Sequence, residues 1–212
     1  MNKVYSIVLF AFLVFNIGTI SGQSSEVRDL VEKMFNDVQN KDFESLLEIT
    51  HPKVFEIVPK EQMLTLIKNM FEGNDEFSIE LPENKPEYFI SELFQGKENN
   101  LEYAFVNYDM SIKMTFNNQE FDEETKKMMK PMMKAQGMEI EFLSKNAMQV
   151  LMKDRLVIIL KEEATKNKWV MVNYDADSPL FYQVISSDLL ETAKEYKQNL
   201  MLETKKSEEN SN

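Results

Sequence analysis

Apolar residues between Ser25 and Val38 recur at helical spacing. Val27, Leu30, Val31, Met34, Phe35 and Val38 fall on one face of a helix. Ser24-Ser25 offers an N-cap before Glu26, and Asp29 complements the first turn. Asn40 or Asp42 can cap a second, short helix that runs through Ile49. Pro59 stands where a first helical position accepts proline, with Glu61 close behind. Met63, Leu64, Ile67, Met70 and Phe71 then form a third stripe, which Gly73-Asn74-Asp75 should stop.

Beyond Asp75 the period changes to two. Phe77, Ile79 and Leu81 alternate with Ser78 and Glu80, and Tyr88 to Phe94 reads as a second strand. In Leu101 to Phe116 every even position from Ala104 onward is apolar, through Val106, Tyr108, Met110, Ile112 and Met114. The odd positions include Asn107, Asp109, Ser111, Lys113 and Thr115, so one dry face and one wet face are expected. Glu120 to Gln136 returns to helix. Glu139 to Leu143 and Ala147 to Lys153 read as strands. Arg155 to Glu163 and Lys168 to Tyr174 read as a hairpin through Thr165-Lys166-Asn167. Leu156 to Leu160 is apolar on both faces and belongs near the sheet centre. Ser186-Ser187-Asp188 opens a last helix carrying Leu189, Leu190, Ala193 and Leu200. The polar stretch 203–212 is expected to be a disordered tail.

The first 22 residues have the three parts of a secretory signal peptide. These are Lys3, the apolar run Val4 to Ile17, and the small-residue segment Gly18 to Gly22. A spanning helix needs about 20 apolar residues, so cleavage is expected rather than a stable membrane anchor. The cut is expected after Gly22, with Ser21 as the alternative. Residues 23–202 then form a single α+β domain. No cysteine occurs, which excludes a disulfide framework, a thiolate metal site, a thiol nucleophile and a lipid-attachment cysteine. No Asn-x-Ser/Thr acceptor occurs either, in keeping with a bacterial periplasm. The formal charge is -12, and loss of Lys3 with the leader takes it to -13. Such a chain is poorly suited to nucleic acid or anionic lipid.

Candidate chemistry is sparse. His51 is the single histidine and suits a general base near neutral pH. The simpler reading is a helix stop, because the residue before Pro52 is pushed out of the helical region. Met128, Met129, Met132, Met133 and Met138 would suit copper(I) by softness. Their spacing equally makes an apolar stripe beside Lys126, Lys127, Lys130 and Lys134, kinked at Pro131. The core or interface reading is preferred for them. Asp122-Glu123-Glu124, Glu162-Glu163 and Asp175 with Asp177 match no calcium loop. Asp109 or Asn107 becomes a candidate acid, base or polar contact only if it faces a pocket. No phosphate loop, nucleophile elbow or metalloprotease motif is present. No catalytic, cofactor-binding or metal-ligating residue is therefore assigned, and no cofactor is implied.

Three helices followed by long strands, with Asp42-Phe43-Glu44-Ser45-Leu46-Leu47 and then Thr50-His51-Pro52, resemble secreted bacterial members of the nuclear transport factor two-like superfamily. Glu61-Gln62-Met63-Leu64 sits where their third helix begins, and Trp169-Val170-Met171-Val172 looks like their last strand. The likeness runs from Ser25 to Tyr196, and the helix Glu120 to Gln136 reads as an insertion. It implies a cystatin-like cone: N-terminal helices on a curved, mainly antiparallel sheet, with an extra Met-rich helix and a C-terminal helix. Some relatives are cyclases, dehydratases or isomerases, and others are adaptors or partner-binding domains; no catalytic motif of the enzymes matches here residue by residue. The expectation is a secreted or periplasmic, non-enzymatic binding module for a small apolar ligand or a protein partner, with a homodimer through the sheet as one arrangement. The alternatives are an isomerase or cyclase using Asp109 or His51, and a carrier that covers apolar cargo with the methionine helix.

Overall fold

A computed structural model describes residues 25–97, 100–175, 178 and 181–210. The expected leader 1–22 and Asp177 lie outside the described residues. Helix α1 (Ser25–Gln39) buries Val27, Val31, Met34 and Phe35, most of the stripe read from the sequence. Asp42 accepts the Ser45 N–H at 3.1 Å and caps α2 (Phe43–Glu48). A further short turn, α3 (Val54–Ile57), was not legible as a helix. Pro59 caps α4 (Lys60–Glu72), and Gly73 ends it at φ 85°, a conformation that costs glycine little.

The sheet is built on two antiparallel 15-residue strands, β4 (Glu102–Phe116) and β6 (Ala147–Lys161). Strands β1 (Phe77–Glu80), β2 (Tyr88–Ile90) and β3 (Phe94–Gln95) all pair with β4 along its outer side. Strands β5 (Met138–Phe142) and β7 (Val170–Asn173) share the outer side of β6. The single strand expected over 88–94 is broken at Ser91, whose Oγ accepts the Phe105 N–H at 2.9 Å and interrupts the ladder. The two strands expected on either side of Asp154 are one strand with a bulge. Pairing jumps from Tyr108–Arg155 to Met110–Met152, and Asp154 takes a positive φ of 51°. A bulge bends a strand and sharpens its twist. At ~3.4 Å per residue the β4–β6 pair would run ~50 Å if straight, so the bulge divides the sheet into two halves.

In the first half both faces are buried, which corrects the expected wet face of β4. Ala104, Val106, Val157 and Ile159 pack under α1. Tyr103, Phe105, Ile158 and Leu160 pack under α6 (Phe181–Val184) and α7 (Ser187–Asn210). The odd positions Tyr103 and Phe105 are aromatic, which is why a second helical layer can cover them. In the second half β4 is evenly half-buried from Met110 to Phe116, so the expected dry and wet faces are not distinct on it, whereas β5 alternates between half-buried Met138, Ile140 and Phe142 and exposed Glu139 and Glu141. The helix expected over 120–136 is α5 (Glu123–Ala135), which runs through Pro131 as one helix. Phe121 is buried against the rings of Phe116 and Phe142 and ties the start of α5 to the sheet. Helix α7 continues to Asn210, past the point where the polar composition predicted a tail. Thr204 donates to Asp154 Oδ1 at 2.9 Å, and Lys197 donates to the Asp154 carbonyl, so α7 is fastened to the bulge. No described helix is long and apolar enough to cross a membrane.

Candidate functional site

The structure places His51 inside the protein as a pin between elements. Its side chain is fully buried. The His51 N–H donates to the Met171 carbonyl at 2.9 Å, and the Met171 N–H donates to Ile49 at 2.7 Å, so the end of α2 covers the edge of β7. The ring Nδ1 accepts the Lys53 N–H at 3.2 Å. That leaves Nε2 to carry the proton and donate to Glu162 Oε1 at 3.1 Å. Burial holds the His51 pKa below the ordinary histidine range, against the opposing pull of Glu162. Glu162 is itself fixed: its N–H donates to Thr165 Oγ1 at 3.1 Å, and Lys53 Nζ lies 4.0 Å from its carboxylate. A neutral imidazole with both nitrogens engaged and no exposed surface has no open position for a substrate proton. The helix-stop reading of His51-Pro52 fits, with an inter-element hydrogen bond that the sequence did not reveal.

Asp109 is exposed at the bulge, where its Oδ1 accepts the Asp154 N–H at 2.8 Å. It holds the irregular backbone. Asn107 pairs across the sheet with Phe89 and Leu156, on the face toward α7. Its Oδ1 is buried without a hydrogen-bond partner among the described residues, a local cost to the fold. The methionines of α5 divide: Met128 and Met132 are exposed, while Met129 and Met133 are half-buried. Asp122 caps α5 by accepting the Thr125 N–H at 2.8 Å, which lowers its carboxyl pKa. Glu123 pairs with Lys126 at 2.8 Å. No three described His, Asp or Glu side chains cluster so as to hold a metal ion.

An apolar cavity lies elsewhere. A cavity of about 320 Å³ opens between the sheet, α1, α2, α4 and the β1–β2 connection. Such a volume lies at the lower end of small-molecule sites, roughly 300–1,000 Å³. Phe35, Phe43, Phe71, Met110, Met152 and Met171 give it an apolar wall. Tyr108 and Arg155, which face one another across β4 and β6, supply polar character. Burial raises the Tyr108 hydroxyl pKa and outweighs the opposing effect of Arg155, so the phenol stays protonated. Neither His51 nor Asp109 lines this cavity, and no residue of α5 does. The isomerase or cyclase alternative needs one of those two groups in the pocket. The methionine-helix carrier needs α5 there.

The sequence reading missed the lining residues. Tyr108 and Met110 were visible as even positions of the long strand, but nothing marked their face as a cavity rather than a core. Arg155 was the available signal. It is one of two arginines among 24 cationic residues, and it sits just before the most apolar strand segment. No family model, curated protein or solved structure matches this chain.

Proposed function

We propose that this protein is a non-catalytic binding module whose site is the apolar cavity between α4 and the sheet. On this reading it is an exported bacterial protein of the nuclear transport factor two-like, cystatin-like cone type, released from its leader 1–22. The observation that carries the proposal is the incomplete packing of α4. The helix bears the stripe Met63, Leu64, Ile67, Met70 and Phe71, yet none of its residues is buried. Ile67, Met70 and Phe71 of this stripe face a cavity with aromatic and thioether walls, and an apolar occupant would complete the burial that the protein alone leaves unfinished. Methionine suits such a wall because its flexible thioether adapts to the shape of the occupant.

The test is a fluorescence titration with the apolar probe N-phenylnaphthylamine. The wild-type protein is expected to give a saturable rise in emission. Ile67→Trp, which fills the wall of the cavity from α4, should weaken that binding by at least about tenfold, equivalent to about 1.4 kcal/mol. Its far-ultraviolet circular dichroism should match wild type. Non-saturable emission, or an Ile67→Trp protein that binds as wild type does, would overturn the proposal.

A further inference from the structure

A second cavity of about 300 Å³ lies on the other side of the same helix pair, toward α3 and α6. It is lined by Leu47, Val54, Ile57, Met63, Phe181 and Val184 among others. The two cavities share Leu46, Ile67, Met171 and Asn173 as a common wall. Helix α4 spans both: Met63 faces the second, Ile67 faces both, and Met70 and Phe71 face the first. Met63 and Met70 are separated by about 10 Å of helix at 1.5 Å per residue. The two cavities therefore lie next to one another along α4.

The two ends differ in charge. Arg155 lines the first cavity and Asp175 the second, both with exposed side chains. Arg155 faces Tyr108 across the two strands, and the Tyr108 hydroxyl, its pKa raised by burial, keeps its own proton to donate. Two donors therefore lie in the wall of the first cavity. The remaining cations of this chain are almost all lysines, so an arginine in this position adds a planar fork that matches a carboxylate.

We infer that the two cavities together hold one elongated, single-tailed amphiphile with an anionic head, the head at Arg155 and the tail running past Leu46 and Ile67 beneath α4. This inference rests on the binding role proposed above and specifies its ligand class. The negative charge of Asp175 opposes the reverse orientation. The apolar wall gives the tail its affinity, which should rise roughly fourfold for each further methylene buried.

Calorimetric titration below the micellar range tests it with palmitate, 1-hexadecanol and octanoate. Wild type should bind palmitate at least about tenfold more tightly than 1-hexadecanol, the size expected for a hydrogen bond to a charged group. Arg155→Gln should bring palmitate down to the level of the alcohol. Octanoate, too short to span both cavities, should bind far more weakly than palmitate. Equal affinity for acid and alcohol, or a preference that survives Arg155→Gln, would overturn the anionic head. Octanoate binding as tightly as palmitate would overturn the elongated tail. Failure of every ligand, the neutral probe included, would instead remove the binding role on which the inference rests.

Discussion

Phe105→Ala is expected to destabilise the fold by about 4 kcal/mol, the middle of the range for deleting a buried aromatic ring. Phe105 is fully buried on the central strand β4. Its ring stacks on Tyr196 of α7 with centroids 4.5 Å apart and lies edge-on to Tyr103 at 5.5 Å. Phe94 of β3 approaches it at 5.8 Å. The ring thus joins the C-terminal helix, a central strand and an edge strand. Deletion leaves a cavity whose walls are set by three separate elements and cannot close easily. Urea unfolding should show a lower midpoint with an unchanged slope. A loss below about 1 kcal/mol would mean that α7 is not anchored through this cluster.

His51→Ala should cost about 3 kcal/mol, and should also change how stability depends on pH. The substitution removes a fully buried ring and leaves the mostly buried Glu162 carboxylate without its nearest donor. The histidine is neutral in the folded protein because burial lowers its pKa. The unfolded chain binds a proton near pH 6.5, so it takes up protons that the native state refuses. The contribution of His51 is therefore complete above about pH 6.5 and is lost as the pH falls below it, toward the lower folded-state value. The slope from this one group is at most about 1.4 kcal/mol per pH unit. Unfolding measured from pH 7 to pH 5 should show that fall in wild type and a flatter profile in His51→Ala. Glu162→Gln should be milder at neutral pH, since an amide oxygen still accepts from Nε2. Parallel pH profiles for wild type and His51→Ala would contradict the buried neutral pin.

Local periodicity carried much of this fold. The stripe of α1, the Asp42 cap and the Gly73 stop are each set by neighbouring residues, and all appear in the structure. What the sequence hid depends on distant partners. The odd positions of β4 are buried because α7 covers them, and α7 is separated from them by some 80 residues of chain. The polar stretch after Leu202 is helical because Thr204 and the helix before it reach the bulge at Asp154. The bulge itself needs Asp109 and Asp154 to meet across two strands. The site was less legible than the fold. His51 and Asp109 drew attention by residue type, yet tertiary contacts use them as a pin and a bulge staple. The cavity arises from ordinary Met, Phe and Leu side chains, and only the arrangement of four elements separates a lining residue from a core residue.

The central claim is that the space beneath α4 is a ligand site. The most direct test is a native mass spectrum of the folded protein purified from its own host. The account predicts a bound small mass that is released on denaturation and ionises as a single-tailed acid. A bare protein mass, together with no uptake of added palmitate, would contradict it and direct the search to protein partners.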